Sequence, residues 1–218
     1  MNPFSQNTIS VNSSVTGIIL AGGASRRMGR AKALLPWGNS TLLQHLTNTL
    51  VSRVDPFIIV SNGQMALPTL PLQVQLVNDT IPHQGPLAGF SHGLKVAPED
   101  RPVFLTGCDF PFIQPSIIDY LLDQLEGADA IVAQSANILQ PLIGLYQSRI
   151  IHTVNHLIET GTRSLTALLE MIDCKTISEA EWRRVDPSCQ MLVNINTPEE
   201  YELAHQHYLK ITSSIDCS

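Results

Sequence analysis

Residues 16–37 read TGIILAGGASRRMGRAKALLPW, and the fold turns on how this stretch is read. The apolar run from Gly17 to Ala21 reads as a buried strand. It delivers Gly22 and Gly23, then Arg26 and Arg27, then Gly29, Lys32 and Pro36. A buried strand that breaks into a glycine-rich, cationic turn suits a polyphosphate. Glycine removes the Cβ that would hold backbone N–H groups away from a ligand. Arg27 offers a bidentate fork and Lys32 a point charge to offset phosphate charge. The plainer alternative is a tight turn with solvated arginines, and the strand immediately before it favours phosphate. The spacing fits neither common glycine motif. Five residues separate Gly23 from Gly29, Lys32 does not follow a glycine, and no GxGxxG is present.

Beyond this loop the chain alternates short apolar runs with amphipathic stretches. The runs predict strands over 15–20, 56–60, 74–77, 103–106, 130–133 and 142–146. Helices are expected over 41–53, 87–96, 115–125, 148–159, 164–171 and 198–209. Gly89 and Gly93 lower the propensity of the second helix. The last helix opens on Thr197-Pro198-Glu199-Glu200, with a capping hydroxyl, proline at the first helical position and acids in the first turn. The alternation predicts an α/β fold: a single-domain, Rossmann-like three-layer sandwich with a mostly parallel central sheet. Residues 1–14 are expected as a disordered leader, 15–210 as the functional domain and 211–218 as a loose tail.

The formal net charge of -6 argues against nucleic acid as a partner, because such proteins carry a basic face. No apolar run reaches the length of a membrane span, and the polar start lacks a signal-peptide pattern. Cys108, Cys174, Cys189 and Cys217 form no CxxC pair and read as reduced thiols. A cytoplasmic protein is expected.

In open α/β sheets ligands sit at the carboxyl ends of the strands. Three strands end in chemically rich loops: Leu20 into AGGASRRMGRAK, Val77 into NDTIPHQGPLAG and Thr106 into GCDFPF. The three are expected to converge. Asp79 suits the donors of a base or ribose, or equally a turn or cap. Gly85 and Gly89 flank a helix start, where amides point outward, or serve close packing. Asp109 follows a buried strand among apolar residues, where an unpaired carboxylate is costly. A divalent metal resolves that cost, as do nearby backbone amides. Mg²⁺ takes few carboxylates alongside substrate phosphates, which suits a lone Asp109. Asn194 and Asn196 share one side of an extended segment and suit a second substrate or a metal-bound water, or plain helix capping. Gln140-Pro141 precedes a predicted strand. The scattered histidines, His45 and His83 among them, carry no assigned chemistry, and Ser25 has no paired histidine.

These residues together resemble a known family. LAGGASRRMGRAKALLPWG (Leu20 to Gly38) resembles the signature of nucleotidyltransferases of the nucleotide-diphospho-sugar transferase fold. NDTIPHQGPLAG, TGCDFPFI and VNINTPEE are similar to later motifs of the molybdenum cofactor guanylyltransferase branch, in the expected order over residues 15 to 205. The resemblance implies GTP and Mg²⁺ as ligands. It implies transfer of GMP to the terminal phosphate of molybdenum-molybdopterin, with release of pyrophosphate. Leu20, Ala21 and Gly22 match nucleotide-contacting positions, and Gly23 continues the same glycine pair. Lys32 matches a phosphate-contacting lysine, Asp79 a nucleotide-binding acid and Asp109 the metal ligand. A family asparagine aligns with Ser61 or Asn62. Some relatives carry His-Pro where this chain has Gln140-Pro141. Arg27 and Lys32 would stabilise the leaving pyrophosphate. Molybdopterin-loading proteins and molybdoenzyme chaperones are the implied partners. A cytidylyltransferase of the same fold and a nucleotide-binding regulatory module are the alternatives.

Overall fold

The computed structural model describes residues 15–22, 31–63, 66–79 and 85–215. The elements run β1 (Val15–Leu20), a 3-10 turn (Lys32–Leu34), β2 (Pro36–Trp37), β3 (Ser40–Thr41), α1 (Leu42–Leu50), β4 (Val54–Ser61) and β5 (Val74–Asn78). Then come α2 (Pro86–Leu94), β6 (Val103–Gly107), α3 (Pro115–Leu125), β7 (Ala130–Ser135), β8 (Ile138–Tyr146) and α4 (Ile151–Glu159). The chain closes with α5 (Leu165–Leu169), β9 (Cys174–Ile177), α6 (Glu179–Trp182) and α7 (Pro198–Ile215).

One sheet of seven strands, ordered β5-β4-β1-β6-β8-β7-β9, forms the middle layer. Its ladders are parallel except those of β8, which runs antiparallel to β6 and β7. Alternation along each strand splits the core into two faces. Ile19, Phe57 and Phe104 pack with Leu43 and Leu46 of α1 and Ile117 and Leu121 of α3. Ile18, Ile58 and Leu105 pack on the other side with Leu87 and Phe90 of α2, Val154 of α4 and Leu168 of α5. This is the expected three-layer α/β sandwich.

The helix glycines are there for proximity. A Cβ on Gly93 would lie 2.7 Å from Ile18 Cδ1, and one on Gly89 would lie 3.4 Å from Leu20 Cδ2. Their low helix propensity is offset by letting α2 lie close against β1. A small satellite core joins Trp37, Leu42, Phe112, Ile195 and Ala204, with Tyr201 and Tyr208 packed against it. Tyr201 donates from its hydroxyl to the Pro36 carbonyl at 2.6 Å, which docks α7 on the β2–β3 hairpin.

Three boundaries differ from the sequence reading. Residues 211–215, expected in a loose tail, continue α7, whose Thr212 and Ser213 hydroxyls bond back to carbonyls of the preceding turn. Gln140 and Pro141 lie inside β8, where the register with β7 shifts after Val132. Proline has no N–H to donate, and the irregular register accommodates it. β9 is a short, half-polar edge strand without the apolar run that marks the others.

Candidate active site

The carboxyl ends of the central strands lie side by side. Leu20 is in register with Val60 on one flank and Gly107 on the other, and Val60 is paired with Val77. The loops after β1, β5 and β6 therefore leave from one edge of the sheet. Ala21 N–H extends the ladder to the Val60 carbonyl at 2.8 Å. A Cβ on Gly22 would lie 3.3 Å from the Asn62 backbone nitrogen, so glycine lets the chain pass tightly over the end of β4. Gly23, Arg26, Arg27 and Gly29, which carry the rest of the cationic loop, lie outside the described residues, as does His83.

Downstream of that loop, Lys32 opens the 3-10 turn, which is anchored by buried Ala33 and Leu35. Its ammonium donates to Asn196 Oδ1 at 2.9 Å and sits 3.7 Å from Asp109 Oδ2. Asn196 comes from the segment before α7, 164 positions along the chain. There Glu200 accepts from the backbone N–H groups of Asn196 (2.6 Å) and Thr197 (3.0 Å). The Glu200 N–H in turn donates to Thr197 Oγ1 at 3.2 Å. Thr197 and Glu200 thus cap the helix, and the Asn196 side chain is left to meet Lys32.

Asp109 is held from two sides. Its carbonyl accepts from Ile195 N–H at 2.9 Å. Its side chain folds back over Gly107, where a Cβ would occupy the place of Oδ1. Burial pushes the Asp109 carboxyl up, and the Lys32 charge pulls it back down. Oδ1 of Asp109 is buried without a hydrogen-bond partner, and so is Oδ1 of Asn194, the residue before Ile195. The orphaned Asp109 oxygen, on a carboxylate 3.7 Å from Lys32, is a hard oxygen donor of the kind Mg²⁺ takes. Among the described residues no group of three or more His, Cys, Asp or Glu side chains could hold a metal. A cation here would therefore depend on substrate phosphates for most of its shell. Cys108, next to Asp109, is buried, and burial first, with the Asp109 charge second, pushes its thiol far up.

The other half of the edge belongs to Asp79 and α2. Asp79 N–H donates to the Ser61 carbonyl at 2.6 Å, which ties the loop after β5 to the end of β4. Ser61 is buried, and its hydroxyl accepts from Gly63 N–H at 3.4 Å; Asn62 is half-buried. His92, in the last turn of α2, places Nδ1 3.5 Å from Asp79 Oδ1. The GPLAG segment has a packing role: Gly85 takes φ 80°, and a Cβ on it would lie 2.7 Å from the Arg163 carbonyl oxygen. His45 is structural. Its Nε2 faces the Pro111 carbonyl at 2.9 Å, its ring packs edge-on to Tyr208, and burial lowers its basicity.

The structure thus brings Lys32, Asp109 and Asn196 together, leaves Asn194 in the adjoining segment before Ile195, and puts Leu20, Ala21, Gly22 and Asp79 along the same edge. Gln140 sits within β8, opposite Ala133. Sequence reading assigned no role to His92 or Gly107. His92 meets Asp79 only because α2 packs beside β5, whereas Gly107 serves a local contact, the side chain of Asp109 two residues on folding back over it.

A lysine and a carboxylate facing each other at the carboxyl edge of a mostly parallel sheet lie where open α/β proteins bind their ligands. A family model described as "MobA-like NTP transferase domain" matches residues 17–180, and the chain belongs to that family. The molybdenum cofactor guanylyltransferase of Desulfosudis oleivorans is 33% identical over 192 residues, spanning 87% of this chain and 94% of that protein. The protein of the same name from Syntrophotalea carbinolica is 34% identical over 189 residues, spanning 86% and 89%. Among solved structures, molybdopterin-guanine dinucleotide biosynthesis protein A from Archaeoglobus fulgidus superposes with a TM-score of 0.76 at 19% identity, over 90% of this chain and all of that one. The 2-C-methyl-D-erythritol 4-phosphate cytidylyltransferase of Thermus thermophilus superposes with a TM-score of 0.68 at 15% identity, over 89% and 98%. These two structures establish the fold. The protein is a nucleotidyltransferase.

Proposed function

We propose that this protein transfers GMP from GTP to the terminal phosphate of molybdenum-molybdopterin, releasing pyrophosphate and forming the guanine dinucleotide form of the cofactor. The observation that carries the reading is the Lys32–Asp109–Asn196 cluster at the carboxyl edge of the sheet, in a chain whose relatives are named guanylyltransferases.

Asp79 supplies a reason for guanine. A carboxylate only accepts hydrogen bonds. Guanine offers N1–H and a 2-amino group side by side, and a carboxylate receives both. Cytosine presents acceptors N3 and O2 beside one amino group, so Asp79 meets lone pairs there. Leu20, Ala21 and Gly22 are assigned to the nucleoside, and of the two aligned candidates half-buried Asn62 is favoured over the buried Ser61. Gly22 and Gly23 are assigned to the nucleotide, glycine being the residue that lets a backbone approach a phosphate closely.

A phosphate oxygen of the pterin attacks the α-phosphorus in line, the bond to the bridging oxygen breaks, and pyrophosphate leaves. The attacking oxygen is already ionised at neutral pH, so no protein base is required. Lys32 and Arg27 are assigned to the charge developing on the leaving pyrophosphate. Asp109, with Asn194 Oδ1, is the proposed holder of Mg²⁺. A bound Mg²⁺ supplies charge neutralisation along the triphosphate. Before nucleotide arrives, Lys32 offsets the Asp109 charge and Asn196 keeps the lysine in place.

Asn194 and Asn196 border the side from which the second substrate enters; Gln140, on β8, is a further candidate. The reaction belongs to the cytoplasm, with molybdopterin-loading proteins as donors and molybdoenzyme chaperones as receivers. No described helix is long and apolar enough to cross a membrane. The test is an assay with purified protein, Mg²⁺ and molybdenum-loaded pterin, reading pyrophosphate release and the mass of the dinucleotide with GTP and with CTP.

A further inference from the structure

We infer that Tyr146 is a positioning residue for Asp109: its hydroxyl pins the bulge of β8 that sets Leu142 against Gly107, over which the Asp109 carboxylate folds. This rests on the proposed role of Asp109 in holding Mg²⁺.

Tyr146 is fully buried, and its ring lies edge-on to Phe90 of α2, with centroids 5.0 Å apart. A buried phenol needs a partner for its O–H. Tyr146 finds one on its own strand: the hydroxyl donates to the Pro141 carbonyl, five residues back, at 2.7 Å. Gly144, between them, makes room. A Cβ there would lie 3.0 Å from Tyr146 Cε2 and 2.7 Å from Val132 Cγ1, so glycine lets the ring run along the strand. The bond spans an irregular stretch. On β7, Val132 faces Gly144 and the next residue, Ala133, faces Gln140, so residues 141–143 bulge out of that ladder. On the β6 side the pairing stops at Ile143, opposite Thr106. Pro141 and Leu142 stand in register with neither neighbour, and Pro141 has no N–H to offer. The Tyr146 hydroxyl supplies a hold where the ladders leave one out.

The bulge carries Leu142 to the end of β6. A Cβ on Gly107 would lie 3.1 Å from Leu142 Cδ1 and would collide with Asp109 Oδ1. Leu142 and the Asp109 carboxylate therefore share the space over Gly107. The rest of Asp109 has its own holders. Lys32, 3.7 Å from Oδ2, and the residue's own N–H attract the carboxylate, and Ile195 N–H holds the carbonyl. Oδ1 is buried without a hydrogen-bond partner, so the packing around it decides where it lies, and Leu142 is part of that packing. A relaxed bulge lets Leu142 withdraw and loosens it. The Tyr146–Pro141 bond thus acts on Asp109 through Leu142, from a residue that touches no substrate.

The test measures the GTP affinity of the full chain by calorimetry, once with Mg²⁺ and once with EDTA; the ratio of the two is the metal's share. Tyr146→Phe removes one oxygen and keeps the ring. It is expected to lower the ratio about fivefold, while affinity in EDTA stays parental. That is less than the roughly ten- to hundredfold lost with a direct partner of a metal ligand. Leu142→Ala is expected to do the same. The double variant is then no worse than the more affected single one, because both act through one contact. Val154→Ala, which thins the same core layer from α4, keeps the parental ratio. A parental ratio in Tyr146→Phe, an equal drop in Val154→Ala, or losses in Tyr146→Phe and Leu142→Ala that multiply in the double variant overturns the inference. If Asp109→Ala keeps the parental ratio, the reading of Asp109 fails and takes this one with it. If Asp109→Ala lowers the ratio while Tyr146→Phe does not, only the role of Tyr146 is lost.

Discussion

Asp109→Ala will lose guanylyl transfer by about a thousandfold or more, the scale of several kcal/mol of lost charge stabilisation at the phosphates. It will do so without unfolding. Burial raises the Asp109 carboxyl, so the folded protein holds that proton more tightly than the unfolded chain does. The sign follows by linkage. Above the unfolded value the ionised group opposes folding, increasingly so as pH rises towards the folded value. Removing it leaves the thermal midpoint at neutral pH unchanged or higher. Mg²⁺ with nucleotide will raise the midpoint of the parent protein more than that of the variant, because a ligand stabilises only the state that binds it. An active Asp109→Ala removes the residue from metal binding. A variant that melts many degrees earlier shows that its carboxylate was structural.

Lys32→Ala is expected to lower kcat by about a hundredfold, the loss typical of one aimed donor at a developing charge. The same change strips Asp109 of its nearby cation and leaves Asn196 Oδ1 without the lysine. Lys32→Arg will recover only part of the rate. The guanidinium is planar and longer, and does not take the position of an ammonium held 2.9 Å from Asn196 and 3.7 Å from Asp109. Steady-state turnover of the two variants checks this, and a Lys32→Ala enzyme with the parental rate rules the lysine out of catalysis.

The parts of this molecule legible in its sequence are those set by local chemistry. β1 spans Val15–Leu20 as expected, because a continuous apolar run feeding a glycine pair has few other readings. α3 spans Pro115–Leu125 as expected, because proline marks its first position and Ile117, Ile118, Leu121 and Leu125 carry its buried stripe. Asp109 was legible as a carboxylate in an apolar setting. Its partner was not: the bond from Lys32 to Asn196 joins residues 164 positions apart, and no local pattern carries it. His92 was passed over because its meaning depends on α2 packing beside β5. β9 and the last turn of α7 escaped because short edge strands and hydroxyl-rich helix ends look polar and irregular.

Guanine selectivity is the property on which the proposed function stands or falls. The direct measurement is competition: equal concentrations of GTP and CTP, with Mg²⁺ and molybdenum-molybdopterin, and mass analysis of the dinucleotide formed. An acceptor-only carboxylate reading the base predicts the guanine product in excess by at least about a hundredfold. Equal amounts of guanine and cytosine dinucleotide, or a cytosine product in excess, contradict it.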